Sequence, residues 1–213
     1  MSKNIEWLNS KKIEKTIDNF RKNNMDAFFV RDETELINKI DSFIKDNMKV
    51  SLGGSMTLFE TGVIDYLRHK NINFLDRYKE GLTGEDIKKI YFESFDTDVY
   101  FSSSNAITEN GELYNVDGNG NRVAAMIYGP KKVIVVVGIN KLVKNLDDAI
   151  KRNKEISAPA NAKRLSRNTP CAKTGYCVDC SSKDRICNDY VVIKKQANKD
   201  RIKVIIVNKT LGY

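Results

Sequence analysis

Four cysteines between residues 171 and 187 form the residue set with the clearest chemistry. They are Cys171, Cys177, Cys180 and Cys187, a C-x5-C-x2-C-x6-C spacing. Thiolates are ligands for zinc and for iron–sulfur clusters. Zinc sites usually use two closely spaced cysteine pairs, whereas this run has a single C-x2-C pair, which favours a compact 4Fe–4S cluster. A structural zinc ion, metal-free thiols and a redox disulfide remain open as alternatives.

A loop rich in glycine and hydroxyl groups follows a short apolar run in the first third of the chain. The sequence GGSMT at residues 53–57 is neither a Walker A loop nor a GxGxxG dinucleotide loop. Glycines let a backbone approach a ligand closely, and amides at a helix start with neighbouring hydroxyls donate to anions. The alternative is a tight strand-to-helix turn. We predict that a phosphate or carboxylate is bound by Gly53, Gly54, Ser55 and Thr57.

A second polar block, SSNAITENGELYNVDGNGNR, occupies residues 103–122. Glu109 and Asp117 are candidate acid/base groups, and Arg122 is a candidate carboxylate clamp. Glu112 follows a predicted Asn-Gly turn, so we expect it to face solvent. The alternative is a hairpin whose Asn and Gly residues satisfy its turns. Further candidate ligand-binding residues are Ser103, Ser104, Asn105, Asn115 and Asn121.

The elements around these blocks predict an α/β fold. Predicted strands at 27–30, 49–52, 74–75 and 99–101 alternate with helices at 4–23, 36–44, 57–69 and 84–93. A hairpin (106–116), a helix (121–127), a buried strand (132–137), a helix (145–157) and two closing strands (191–193 and 204–207) follow. Alternation of this kind indicates a parallel sheet. Both polar blocks follow strands, so we predict that they meet at one sheet edge and form the ligand pocket there.

Composition narrows the class of protein. The chain has 213 residues and a net charge of +8, and 41% of its residues are apolar, which suits a single domain over residues 1–213 with a Cys-rich insertion at 165–190. Residues 141–213 hold 17 Lys/Arg and 7 Asp/Glu, a balance of +10. That excess indicates either a solvated basic surface or a surface that binds an anionic ligand, an acidic partner or nucleic acid. Without an apolar run of about 18 residues or a signal-like start, we expect a cytosolic protein without a membrane span.

His69 is the one histidine of the chain, at the predicted end of a helix. A Ser-His-Asp or Cys-His site would have to use this residue, and a zinc hydrolase with several histidine ligands is excluded.

Several motifs resemble the lactate-utilisation (LUD) domain family, and the likeness runs from about residue 10 to the end of the chain. They are Gly54-Ser55-Met56-Thr57 with Glu60, Ser103–Glu109, Asn115–Gly118, Gly120–Arg122, Gly129-Pro130 and Gly138–Lys141. The resemblance implies a Rossmann-like, mainly parallel sheet flanked by helices, related to sugar-phosphate isomerases and CoA transferases. It adds Lys141 to the ligand-binding set. The segment from Thr169-Pro170-Cys171 to Cys187 resembles a subgroup with an appended cysteine motif.

The family takes part in oxidising lactate to pyruvate beside separate iron–sulfur subunits, although many members have no established activity. We therefore expect binding of a small anionic metabolite of 2-hydroxy-acid type, with electron transfer through the cysteine centre or through iron–sulfur partner proteins. A non-catalytic accessory or regulatory protein is the alternative, and a homo-oligomer stays open. Nucleic-acid binding is disfavoured, although the cysteine spacing resembles the C-x6-C-x2-C-x5-C loop of iron–sulfur DNA glycosylases with its outer gaps exchanged.

Overall fold

A computed structural model describes residues 3–213. Within these residues, six strands form a central sheet in the order β1-β10-β7-β4-β2-β3, and every neighbouring pair is parallel. A smaller sheet has the order β8-β5-β6-β9. The strands are β1 (Asp26–Val30), β2 (Lys49–Leu52), β3 (Asn73–Leu75), β4 (Val99–Ser102), β5 (Ala106–Thr108), β6 (Leu113–Asp117), β7 (Lys132–Gly138), β8 (Leu142–Val143), β9 (Asp189–Ile193) and β10 (Ile202–Val207). The predicted α/β class with a mainly parallel sheet is confirmed.

Helices connect these strands and cover the central sheet. They are α1 (Lys3–Lys22), α2 (Glu33–Asp41), α3 (Met56–Glu60), α4 (Val63–His69), α5 (Gly84–Glu93), α6 (Asn121–Ile127), α7 (Leu146–Arg152), α8 (Ala158–Arg164) and α9 (Pro170–Thr174). Local sequence explains where several of these helices begin. Asp32 caps α2 through the amide of Glu35, and Asn145 caps α7 through the amide of Asp148.

The central strands are buried on both faces, which explains their continuous apolar sequences. In β7, Ile134 and Val136 pack into the cluster that includes α2 and α4. Val133, Val135 and Val137 face the opposite cluster, with α1 and the small sheet. Alternate side chains of a strand point to opposite faces, so one run of β-branched residues supplies both halves of the core.

Two helix predictions need correction. The single helix expected over 57–69 is two helices, separated at Gly62, whose φ of 69° is left-handed. The helix expected to end at 157 continues through a π-turn (Asn153–Ser157) into α8. Residues 158–164 show little hydrophobic periodicity and nevertheless form α8. Their small residues, among them Ala158 and Ala162, are buried, so packing rather than a broad apolar stripe holds this last helical part in place.

The hairpin between β5 and β6 is confirmed, although its turn is of another type than predicted. The amide of Gly111 donates to the Thr108 carbonyl (2.9 Å), and Gly111 has a φ of 76°, whereas Asn110 is not among the residues with positive φ. This is a type I turn closed by a left-handed glycine, not the predicted type I′ turn. β9 pairs antiparallel with β6 in the small sheet, so it lies outside the central sheet.

Gly111 should be intolerant of any side chain. A Cβ there would lie 2.5 Å from the backbone nitrogen of Phe20, in addition to the strain of a positive φ. Gly81 also has a positive φ (82°), but open space surrounds its missing Cβ. We expect Gly111→Ala to lower the free energy of unfolding in urea by about 3 kcal/mol and Gly81→Ala by about 1 kcal/mol. Equal losses of unfolding free energy in the two variants would show that the close approach of residue 111 to α1 contributes nothing to the cost of the substitution.

Candidate functional site

A cavity of about 100 Å³ lies at the carboxyl edge of the central sheet. After β2 the chain moves outward to β3, and after β4 it moves the other way to β7, so neighbouring strands β2 and β4 form a point where the strand order reverses. Ligands of open α/β sheets bind at such points. The cavity is lined by Gly54, Ser55, Met56, Ser103, Ser104, Asn105, Val116, Asp117, Arg122, Lys141, Ser157, Asn161, Arg164 and Tyr213. The two predicted polar blocks therefore meet as expected.

Arg122 lies buried in the wall of this cavity, 8% exposed, and its guanidinium group binds several surrounding residues. Its Nη1 donates to the carbonyl of Ser103 (2.8 Å) and to Oδ1 of Asn115 (2.8 Å). Its Nη2 donates to Oδ1 of Asn105 (3.2 Å) and to the carbonyl of Val116 (3.1 Å). A planar guanidinium suits such a fan of acceptors. Arg122 thus connects the loop after β4 to the end of β6 and still presents its charge to the cavity.

Asp117 is held against the start of α6 by three hydrogen bonds. Its Oδ1 accepts from Nε of Arg122 (3.0 Å), and its Oδ2 accepts from the backbone amides of Arg122 and Val123 (both 3.1 Å). These bonds occupy both carboxylate oxygens, and two of them satisfy amides at the start of α6. The predicted role of Asp117 as general base is therefore poorly supported by its contacts, which fit a role in positioning Arg122.

Lys141 is the buried cation on the opposite side of the cavity, 3% exposed. Its Nζ donates to Oγ1 of Thr57 (3.0 Å) and to Oγ of Ser103 (3.1 Å). Burial, together with the nearby charges of Arg152 and Arg122, lowers the pKa of Lys141 to about 7. At neutral pH the Lys141 side chain is therefore present in both its ammonium and its amine form. Its ammonium form attracts an anion, and its amine form can accept a proton.

The surroundings of two acidic residues, Glu109 and Glu112, differ from those that the sequence predicted. Glu109, a predicted acid/base residue, does not line the cavity. Its carboxylate pairs with Lys15 of α1 (3.0 Å), and its backbone carbonyl accepts from Asn19 (2.8 Å). Glu109 therefore lies away from the cavity in which Asp117 lies, and its contacts do not favour the predicted acid/base role there. Glu112, expected to face solvent, is buried and accepts a hydrogen bond from Thr108 (2.9 Å), because the glycine of the turn reverses the direction of the following residue.

The remaining predicted residues form two groups: those that line the cavity and those that do not. Gly54, Ser55, Ser103, Ser104 and Asn105 line the cavity, as do Arg122 and Lys141. Gly53, Thr57 and Asn115 lie behind this lining. A Cβ at Gly53 would be 2.8 Å from Cγ of Arg122, so this glycine makes room for the arginine rather than for a ligand. Asn121 begins α6 outside the lining.

Four polar residues of the lining are not among those that the sequence predicted. Ser157, Asn161 and Arg164 come from the π-turn and α8, and Tyr213 comes from the segment after β10. The spacing 157, 161, 164 is helical, so extending the predicted helix 145–157 would have placed these three on one face. Nothing in the local sequence of Tyr213 indicates its position. That position depends on Asn140, which accepts from the amide of Leu211 (3.0 Å).

Two hydroxyl groups of the cavity are buried without a hydrogen-bond partner. They are Oγ of Ser104 and Oη of Tyr213. Burial also raises the pKa of Tyr213, so its hydroxyl stays protonated and can donate. Buried polar groups are rarely left unsatisfied. A ligand with acceptor oxygens would complete both.

The sequence and the fold of this chain are both similar to those of known proteins. The family model of the LUD domain matches residues 13–207, which is most of the chain. The chain belongs to the LUD domain family. This membership supports a role related to lactate utilisation.

A solved structure with a TM-score above 0.5 shares the fold of this LUD domain. A DUF162 family protein from Deinococcus radiodurans matches with a TM-score of 0.55 at 11% identity, over 93% of this chain and 98% of that chain. Ribose 5-phosphate isomerase A from Neisseria gonorrhoeae has a TM-score of 0.37 at 15% identity, over 79% and 77% of the two chains. A TM-score of 0.37 is too low to support any comparison of fold or function. A search of curated proteins gave no significant match.

The four cysteines of this LUD domain line a second, smaller cavity beside α8. None of them forms a disulfide, and all are partly buried. Burial raises the pKa of the Cys187 thiol to about 11, and the nearby charge of Arg185 opposes this shift. Within residues 3–213, no three Cys, His, Asp or Glu side chains are grouped so that they could hold a metal ion.

The same described part of the chain shows no helix long and apolar enough to cross a membrane.

Proposed function

We propose that this LUD-domain protein binds a small organic anion of 2-hydroxy-acid type in the cavity between Arg122 and Lys141. The observation that carries the proposal is the buried Lys141 ammonium group, which faces the cavity without a carboxylate partner among the described residues that line it. Asp117, the one carboxylate in that lining, is engaged by Arg122. Arg164 adds a third cation at the exposed rim. A carboxylate would offset this positive excess.

The volume and polar lining suit a molecule of a few heavy atoms. The carboxylate of a 2-hydroxy acid would pair with Lys141, and its hydroxyl would satisfy Ser104 or Tyr213. Arg122, whose N–H groups are all engaged, would contribute its charge only. Oxidation of such an acid to the 2-oxo acid releases two protons and two electrons. Because Lys141 in its ammonium form would hold the carboxylate, both protons would leave to solvent. The two electrons would pass one at a time through a cysteine-ligated centre of this chain or to an iron–sulfur partner protein.

Calorimetric titration tests the binding step. We expect lactate and pyruvate to bind, and lactamide, which differs from lactate by the loss of the carboxylate charge, to bind at least ten-fold more weakly. Equal binding of lactate and lactamide would contradict the role of the cations. Inorganic phosphate, titrated alongside, shows whether the site selects carboxylates.

A non-catalytic binding protein is the second candidate, and a specific observation favours it. Asp117 is fully hydrogen-bonded, and Glu109 lies elsewhere, so the described lining offers no free carboxylate base. Turnover of lactate with an artificial electron acceptor separates the two candidates. Reduction of the acceptor at a rate that depends on lactate supports catalysis, and tight binding without reduction supports an accessory role.

Anion affinity should depend on pH through Lys141. Its pKa of about 7 in the free protein means that the attractive ammonium form is lost as the pH rises through neutrality. A carboxylic acid ligand stays ionised over this range, so the change belongs to the protein. We expect lactate affinity to fall about ten-fold between about pH 6 and about pH 8, with proton uptake on binding at neutral pH. Titrations in buffers of different ionisation enthalpy measure that uptake, and a flat profile would contradict it.

A further inference from the structure

The cysteine cavity and the anion cavity share a wall. In the helix that runs from the π-turn into α8, Ser157, Asn161 and Arg164 face the anion cavity. Ala158 and Ala162, four residues apart, face the cysteine cavity. Neighbouring faces of one helix thus contact both spaces, so a displacement of this helix changes both.

A second connection lies directly after the last cysteine. The backbone amide of Asn188 donates to the carbonyl of Asp117 (2.9 Å), and its side-chain amide donates to the carbonyl of Gly118 (2.9 Å). A Cβ at Gly118 would be 3.4 Å from Cα of Ile186, so the two backbones are in close contact. The cysteine segment therefore touches the loop whose carboxylate orients Arg122.

The segment that carries three of the cysteines has little else to order it. Residues 175–188 form neither helix nor strand, and their large apolar side chains are mostly exposed, Tyr176 at 76% and Val178 at 62%. Ordering a residue costs about 1–2 kcal/mol of backbone entropy. Arg185 spans the turn by donating to the carbonyls of Cys180 and Cys187, the latter at 2.8 Å. Metal–thiolate bonds are the kind of interaction that folds such segments.

The spacing of the cysteines along the chain favours a cluster over a single ion. Zinc sites usually take two closely spaced cysteine pairs, and this run has one such pair, Cys177 with Cys180. A cubane cluster has four separate iron corners and takes one cysteine at each, so its ligands stand farther apart. Lys154 and Arg185 line the same cavity with Asp179, which leaves one positive charge to offset the negative charge of a thiolate-ligated cluster.

We propose that Cys171, Cys177, Cys180 and Cys187 bind one 4Fe–4S cluster, and that this cluster fixes α8 and the Asp117–Gly118 loop as the walls of the anion cavity. Binding forms four iron–thiolate bonds to a preformed cluster core, and four thiol protons leave. Loss of the cluster frees both walls, so lactate affinity falls with it. This effect on affinity rests on the proposed function, whereas the cluster and the ordering of the walls do not.

The first measurement is the metal itself. Anaerobically purified or reconstituted protein should contain about four iron and four sulfide per chain, with broad visible absorption. Cys180→Ser should lose most of that iron, and the matched control Ser181→Ala, at the adjacent exposed position, should keep it. A colourless protein that carries zinc, or a Cys180→Ser protein with unchanged iron, overturns the cluster.

The second measurement is hydrogen exchange, which does not require the anion. We expect removal of the cluster by a chelator to speed exchange about ten-fold or more in residues 157–164 and 117–122, with no change in β7. Asn188→Ala should keep the cluster but lose the ordering of 117–122. Unchanged exchange in a protein shown to have lost its iron overturns the coupling.

The third measurement is lactate titration of loaded and stripped protein. About ten-fold weaker binding after stripping supports the coupling, and equal binding overturns its effect on affinity. If neither form binds lactate, the proposed function fails, and the cluster and the wall ordering are still decided by iron content and exchange.

Discussion

Lys141→Met abolishes lactate binding, with a loss of affinity of at least about 100-fold. Truncating one partner of a buried, hydrogen-bonded charge pair costs about 2–5 kcal/mol, and Lys141 is the most deeply buried cation of the cavity. Methionine keeps the length and the apolar stem, so the change removes the charge and little volume. Calorimetric titration of lactate at about pH 6, where the ammonium form prevails, measures the loss.

The same variant has a second signature that a simply misfolded protein would lack. The pKa of Lys141 is about 7 in the folded chain, below its ordinary 10.5, so between these values the unfolded chain holds the extra proton. The free energy of unfolding therefore gains from this residue as the pH rises from about 7 towards 10.5. Lys141→Met should lose that gain and be no less stable than the wild type at about pH 6.

Lys144→Met is the matched control, because Lys144 is exposed three residues along the same segment. It should leave lactate affinity and the pH dependence of stability unchanged. Lactate binding by Lys141→Met within three-fold of the wild type would contradict the proposed site.

Arg122→Lys lowers the free energy of unfolding by about 3–5 kcal/mol, the cost of breaking a buried ionic network. A lysine keeps the charge but cannot reach the acceptors of Ser103, Asn115 and Val116 together from one planar group. Those acceptors would be left buried without donors. Urea unfolding followed by circular dichroism measures the loss.

Arg31→Lys is the control for that experiment. Arg31 is 78% exposed and pairs with Glu35 on the surface, so its replacement should change stability by less than about 0.5 kcal/mol. If Arg122→Lys costs no more than Arg31→Lys, the hydrogen bonds seen around Arg122 do not stabilise the fold.

The sequence determined the layered fold and the location of the cavity. Buried runs such as Val133–Val137 can only be central strands, and their alternation with amphipathic helices leaves few topologies other than a parallel sheet. In such a sheet all loops that follow strands leave at one edge. That rule alone brought Ser55 and Asn105 to the same cavity, and it needs no knowledge of side-chain packing.

Tertiary structure decided the chemistry of the cavity. Glu109 and Asp117 are equivalent in the sequence, but the turn at Gly111 sends one to α1 and the other to α6, because a hairpin register fixes the face of each residue. Burial gives Lys141 its unusual pKa, and burial is a property of everything packed around it. Tyr213 enters the site through contacts between segments far apart in the chain, for which local sequence carries no signal.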